Sequence, residues 1–300
     1  EAEGWKYVSF LGPNPEFLLF VVLLTSLGTW GLPQMVGKFY SIKNEESIKT
    51  GTVISTVFAI IVAGGCYFLG GFARLSGVDV SKLGFDAIIP SMLSELPVAV
   101  IGIVIVLVLS ASMSTLSSLV LTSGSTVTLD FIAPIKKKAN GKDMAEKSKM
   151  LLIRLFVVFF IIVSAIIAIY QYKEGSIYIA QMMGVSWGAL AGAFLAPFLY
   201  GLYWKRTTKA AVACSFIFGV GLEIVQFLIT IKLLDVSGSS LLSFVFKNSL
   251  YSGVFAMVGG LIIVPIVSLI TYKTKQKNVD EVFSCYNQTK VVEVTDSLGK

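Results

Sequence analysis

Histidine is absent from this 300-residue chain. Its absence removes Ser-His-Asp hydrolysis, His-ligated zinc or haem, and imidazole proton relays from the chemistry these residues can perform. Cysteine is almost absent: Cys66, Cys214 and Cys285 stand far apart, the first two inside apolar stretches, so neither a metal cluster nor a disulfide framework is implied. No GxxxxGKS or GxxxxGKT loop is present to cradle the phosphates of a nucleotide, which argues against an ATP-driven pump. Charge is scarce as well, at 14% of residues. Nothing in the pattern supports an enzyme.

What remains is apolar. With 55% hydrophobic residues and a mean hydropathy of +0.81, the chain is too greasy for a soluble domain of its length and reads as an all-α integral membrane protein, with the lipid bilayer as its surroundings. Seven apolar stretches read as spans, at 16–32, 51–75, 97–130, 150–172, 177–204, 208–234 and 248–272. Of the 24 Lys and Arg, 18 fall on alternate connections that begin with Lys38 and include Lys136 to Lys149 and Lys205 to Lys209; the other connections hold 6. That bias places the first set in the cytoplasm, the N-terminus outside and the C-terminus inside, in the plasma (inner) membrane. It also accounts for the net charge of +6 as loop topology, so no nucleic-acid partner is read into it.

Ala111-Ser112-Met113-Ser114-Thr115-Leu116-Ser117-Ser118 is dense in hydroxyls and continues the apolar run before it without a turn signal. If 97–130 is one helix, the carbonyl of Ala111 points at the residue four places on, so it converges with the Thr115 hydroxyl, with Ser114 alongside. Three neutral oxygens at one point suit a small hard cation such as sodium. The competing reading is packing: small residues let membrane helices approach, and Ser and Thr bond back to their own helix.

Gly28-Thr29-Trp30-Gly31-Leu32-Pro33-Gln34 closes the first span, and two readings are open there. Two glycines and a proline make continuous helix costly and favour a breakpoint that exposes backbone groups to a solute or ion; equally, Gly followed by Pro ends a helix at the membrane face. Residues 85–96 read as a short helix over the extracellular mouth; the basic segment 134–149 reads either as ending in a short surface helix at 142–149 that feeds the next span or, the preferred reading, as a solvated loop facing the lipid headgroups. Glu223, near the middle of the span 208–234, is a functional candidate by position, with Gln226 one turn away as its partner. A neutral or hydrogen-bonded structural carboxyl is the preferred reading. Gly184, Gly188 and Gly192 have the small-xxx-small spacing of close helix packing.

Several of these pieces, taken in order, resemble the sodium:solute symporter family. They are Gly28 to Gln34 with Lys38-Phe39, the Leu96-Pro97 step into a long helix, Met113-Ser114-Thr115-Leu116-Ser117-Ser118 running to Thr128-Leu129-Asp130, and Ala196-Pro197-Phe198 with Gly201-Leu202-Tyr203-Trp204-Lys205-Arg206-Thr207. The resemblance implies an inverted-repeat fold of five plus five helices, of which this chain supplies the second repeat at 16–204 and two additional helices at 205–272. Residues 1–15 are then the remnant of an extracellular loop, and 273–300 a cytoplasmic tail. The N-terminal repeat of the same carrier is expected to be missing, since the chain has neither a starting Met nor a signal segment. Carried over, the resemblance places Ala111, Ser114 and Thr115 on a coupling sodium ion and Ser26, Thr29 and Trp30 beside the substrate. It implies sodium-coupled uptake of a small organic solute, an amino acid, a carboxylate or a vitamin-like acid, by alternating access. A sugar fits poorly, because the next span has no basic residue at 52–61 and Thr29 stands where several sugar carriers have an aromatic gate. Two other classes compete: a transporter-like solute sensor, which requires an appended signalling domain, and a seven-span receptor, which leaves the hydroxyl cluster unexplained.

The charge bias generates a test of topology. In a background lacking Cys66, Cys214 and Cys285, Lys138→Cys is expected to react with a membrane-impermeant thiol reagent from the cytoplasmic side and Ser240→Cys from the opposite side. Reaction of both from one side overturns the seven-span arrangement.

Overall fold

The computed structural model describes residues 9, 11–39, 42, 44–75, 77, 84–174, 179–234, 240–272 and 279–287. Lys6, Lys43 and Lys82, most of the segment expected as a loop remnant, and most of the tail expected after residue 272 lie outside them. Among the described residues every regular element is helical. In order these are α1 (Pro15–Ser26), a 3₁₀ turn (Gly28–Gly31), α2 (Pro33–Phe39), α3 (Glu45–Phe72), a 3₁₀ turn (Phe85–Ala87), α4 (Ile88–Ser94), α5 (Val98–Ser125), a π-helical turn (Thr126–Ile132), α6 (Ala133–Asn140), α7 (Glu146–Glu174), α8 (Ile179–Tyr203), α9 (Lys209–Thr230), α10 (Ser240–Val245), α11 (Ser249–Thr271) and α12 (Val279–Phe283). Among the described residues, 6 helices are long and apolar enough to cross a membrane: α3, the run Val98–Asn140, α7, α8, α9 and α11. The remaining expected span, the first, is the interrupted pair α1 and α2.

Helix ends follow local chemistry rather than hydropathy. Asn44 accepts the Ser47 N–H at 2.9 Å, so α3 begins six residues before the apolar stretch does. Nothing breaks the chain at Asp130; the helix passes through the π-helical turn and stops at Gly141, whose φ of 68° is the left-handed conformation that terminates helices. The run Val98–Asn140 is 43 residues, about 65 Å long at 1.5 Å per residue, roughly twice the hydrocarbon thickness. The surface helix expected at 142–149 is not formed as drawn: residues 141–145 are non-helical, and Glu146 starts the long helix α7 directly. Gly141 ends α6, and Glu146 opens α7 with its acid in the first turn.

The chain divides into two compact units, Glu1–Val36 with Gln181–Lys300 and Gly37–Ala180. In the second, α5 packs on α7 where Gly124 leaves room: a Cβ there would lie 3.1 Å from the Ile153 carbonyl oxygen. The short helix α4 forms close to its expected place, and the nearby Asp86 carboxylate accepts the Ile179 N–H at 3.1 Å, capping the start of α8.

The first unit is built on α8, α9 and α11. Gly188 lies against Gly253, and Gly192 against Gly219 and Ala256, so the helices meet backbone to backbone along the stripe the spacing predicted. The Ser215 hydroxyl donates to the Gly192 carbonyl at 3.2 Å across this seam. Helix α1 seats Leu24 in the core formed by Ala191, Leu195, Leu250, Val254 and Met257, and stacks Phe20 on Tyr251 with ring centroids 4.2 Å apart. At the other end, Thr208 caps α9, and its hydroxyl pairs with that of Thr271 at 2.7 Å.

One hydrogen bond in this unit follows from a missing donor. Pro265 lies inside α11 and has no N–H, so the carbonyl of Leu261, four residues earlier, loses its helical partner. The Tyr200 hydroxyl of α8 donates to that carbonyl at 3.1 Å. Neighbouring helices commonly re-satisfy a carbonyl freed in this way, because lipid cannot. Tyr200→Phe should therefore destabilise the protein by about 1 kcal/mol. In a Pro265→Ala background, where the N–H is restored, the same change should have little effect, as read from thermal unfolding in detergent. Equal losses in both backgrounds would show that Tyr200 acts by packing alone.

Candidate functional site

The hydroxyl-dense turn sits in the second unit, at the middle of α5. The Ser114 hydroxyl lies 2.9 Å and the Thr115 hydroxyl 3.1 Å from the carbonyl oxygen of Ala111, so the three oxygens converge. Each hydroxyl donates to that carbonyl, which is the back-bonding expected of Ser and Thr in membrane helices. The same spacing is compatible with ligation: oxygens that share a hard cation at about 2.4 Å stand about 3 Å apart when they adjoin. The lone pairs of Ser114 and Thr115 remain free for such an ion. Ala111, Ser112, Thr115, Leu116 and Leu119 line an open groove of about 490 Å³, and the hydroxyl face is exposed. Helix α5 presents these oxygens because 3.6-residue periodicity puts positions 111, 114 and 115 on one side, while Val120 and Gly124 are buried on another, Gly124 against α7.

The charge of the turn is zero. Among the described residues no group of three or more His, Cys, Asp or Glu could hold a metal ion, so zinc and calcium chemistry finds no ligand set there. Neutral carbonyl and hydroxyl oxygens suit a weakly held hard monovalent cation.

The second set of expected site residues lies in the first unit. Of the two readings of the Gly28 to Gln34 segment, the structure adopts the break: α1 stops at Ser26, a 3₁₀ turn covers Gly28–Gly31, Leu32 is extended, and Pro33 restarts a helix. The glycines are needed for contact as much as for conformation. A Cβ on Gly31 would sit 2.6 Å from the backbone of Leu195, and one on Gly28 3.2 Å from the Ala191 Cβ. The break is thus pressed onto α8, and the other side of the turn faces outward: Trp30 is 60% exposed and Ser26 is exposed. Thr29 spends its hydroxyl proton on the Ser26 carbonyl at 3.1 Å. Ser26, Thr29 and Trp30 are therefore brought together on one accessible turn.

Glu223 is 1% exposed, and the structure does not pair it with Gln226 as expected. Thr230 explains the difference. Its hydroxyl donates to the Gln226 main-chain carbonyl at 2.8 Å, so its lone pair accepts from the Gln226 side-chain amide at 3.2 Å. That fixes the amide nitrogen toward Thr230 and leaves the Gln226 Oε1, like both carboxyl oxygens of Glu223, buried without a hydrogen-bond partner. The hydroxyl of Thr128, in the π-helical turn after α5, is likewise buried without one. Sequence reading had Thr128 only as part of a motif, and a π-helical turn carries no residue signature that would have singled it out.

A model of the sodium:solute symporter family matches residues 10–219. The sodium/pantothenate symporter of Escherichia coli (strain K12) is 26% identical over 208 residues, 69% of this chain and 41% of its own length. The osmoregulated proline transporter OpuE of Bacillus subtilis (strain 168) is 28% identical over 202 residues, 66% of this chain and 39% of its own. A sodium/proline symporter of Staphylococcus aureus is 24% identical over 276 residues, 91% of this chain and 50% of its own. These relatives are transporters, not enzymes, and the chain spans about 39% to 50% of their length. No solved structure matches the chain.

Proposed function

The chain belongs to the sodium:solute symporter family, and from that premise we propose that it is part of a carrier that couples sodium entry to uptake of a small organic solute by alternating access. One observation carries the reading: the Ala111 carbonyl and the Ser114 and Thr115 hydroxyls converge on an exposed helix face with no acid nearby. Sodium bound there displaces the two hydroxyl protons from the Ala111 carbonyl and takes a lone pair from each of the three oxygens. The remaining oxygens of its shell come from residues of the carrier outside this chain, in the N-terminal repeat. Residues 16–204 act as the second five-helix repeat, and 205–272 as two additional helices.

The turn at Ser26, Thr29 and Trp30 contacts the solute, its exposed indole stacking on the apolar part and the exposed Ser26 hydroxyl meeting the polar part. Loss of sodium to a low-sodium cytoplasm releases the solute, and the ion gradient supplies the free energy. The relatives are named for pantothenate and proline, so the solute class that fits is an amino acid or a vitamin-like acid. The carrier is placed in the plasma membrane, with the end of this chain that follows residue 272 in the cytoplasm.

The test is sodium-driven uptake in liposomes by the full-length carrier. Thr115→Ala removes one hard oxygen and is expected to weaken apparent sodium affinity about tenfold or more, which is about 1.4 kcal/mol. Ser114→Ala with Thr115→Ala should weaken it further. An unchanged sodium dependence in the double variant, at normal expression, returns the turn to a packing role. The 300-residue chain on its own is expected to insert into membranes without transporting, because three oxygens are too few to replace the hydration of the ion. Sodium-dependent uptake by that chain alone would refute a site completed from outside it.

A further inference from the structure

Where α8, α9 and α11 meet, the carboxyl of Glu223 lies buried among groups whose protons are directed elsewhere. Both carboxyl oxygens are buried without a donor, and the Gln226 Oε1 is in the same condition. The Ser252 hydroxyl faces the carboxyl, but its one proton is given to the Ser249 carbonyl at 3.0 Å, so toward Glu223 it can only accept. The Gln226 amide is held the wrong way round by Thr230, so it cannot supply an N–H either.

Among the described residues of the packed helices, no counter-charge adjoins Glu223. Helices α8 and α11 contain no Asp, Glu, Lys or Arg. Their titratable side chains are Tyr200 and Tyr203 at the far end of α8 and Tyr251, whose ring stacks on Phe20. On α9 itself, Cys214 is exposed, and Lys209 lies 14 residues earlier, about 21 Å along the axis; beyond its end Lys232 follows nine residues after Glu223, and Lys247, before α11, is directed to Glu16 at 3.8 Å and over the Tyr251 ring. The short helix α10 contributes no titratable group, and α1 contributes only Glu16 at its start. Nor is there slack for a hydrated ion, since a Cβ on Gly188 would come within 2.6 Å of the Glu223 Oε1 and of the Gly253 Cα.

We propose that Glu223 is a proton-binding site: its carboxyl carries an exchangeable proton that it donates to the Ser252 oxygen, and loss of that proton loosens α9 from α8 and α11. A proton is the one ligand that turns an acceptor-only cluster into a bonded one without needing space. A bare carboxylate in this seam would be an unpaired buried charge, which membrane interiors strongly disfavour. The proton makes pH a control on the packing of the three helices. Because the folded state then holds a proton that the unfolded state releases, stability falls as pH rises, by up to about tenfold in the folded-to-unfolded ratio for each pH unit. The inference is independent of the sodium reading, since it concerns other residues and is tested without transport.

The experiment uses the full-length carrier in detergent or lipid. At neutral pH its infrared spectrum is expected to contain a protonated-carboxyl carbonyl band that is absent from Glu223→Gln. Raising the pH should abolish the band and lower the melting temperature in the wild type, while Glu223→Gln, which cannot ionise, keeps a flatter profile. Should Glu223→Gln not fold, Ser252→Ala serves in its place, because removing the acceptor should shift the same band. The proposal is overturned by the absence of a Glu223-dependent acid band at neutral pH, or by parallel melting profiles in wild type and Glu223→Gln. It is also overturned by a band that Ser252→Ala leaves unmoved, or by one that disappears on adding sodium at constant pH, which would make the ligand a metal cation.

Discussion

Backbone contact between Gly192 and Gly219 is the constraint on which the first unit is organised. A side-chain carbon on Gly219 would collide with the backbone of Gly192, so α8 and α9 touch without intervening side chains. In lipid, helices gain little from burying apolar surface against one another, so close van der Waals approach and the few polar contacts it permits must hold them. Everything else in the unit is fitted to that approach. The Ser215 hydroxyl reaches the Gly192 carbonyl only because the two backbones are adjacent, and Gly188 and Gly253 let α11 complete the same seam. The break after α1 depends on it too, since Gly31 presses against Leu195, which lies seven residues after Gly188 and so on nearly the same face of α8 as the glycines.

Close packing also explains why each polar group in the seam is informative. A carbonyl or carboxyl left open there has no water to turn to. The structure resolves one such debt visibly: Pro265 strands the Leu261 carbonyl, and Tyr200 on the facing helix supplies the donor. Glu223 is the contrasting case, a carboxyl whose neighbours have already committed their protons elsewhere.

The sequence made the class, the spans and the glycine stripe readable, because each rests on short-range or one-dimensional patterning. Hydropathy located the spans, a spacing of four put Gly184, Gly188 and Gly192 on one face, and helical geometry alone predicted that Ala111, Ser114 and Thr115 would converge. What escaped it was decided by competition among hydrogen-bond partners. Glu223 and Gln226 are correctly spaced to pair, but Thr230, one turn further on, captures the amide. Asn44 and Gly141 moved helix ends past the apolar runs because capping is set by single residues rather than by mean hydropathy. The Gly28 to Gln34 segment was ambiguous for a related reason: a break and a capped end use the same residues. Only the close contact of Gly31 with Leu195 and the restart at Pro33 distinguish them.

The two polar features of the spans differ in a way that bears on what each can bind. The Ala111 turn is neutral, exposed and lined by an open groove, so an ion approaching it keeps part of its hydration and gives up water only as further oxygens arrive from a facing element. That is the physics of a site that fills and empties, since no single contact is strong. Glu223 is the opposite, buried and with neither carboxyl oxygen hydrogen-bonded. A metal ion entering there must shed its water before meeting any ligand, whereas a proton can hop along transient openings of the seam. Under the proposed coupling, whose ion must exchange on every cycle, the exposed turn suits that exchange better than the buried carboxyl does.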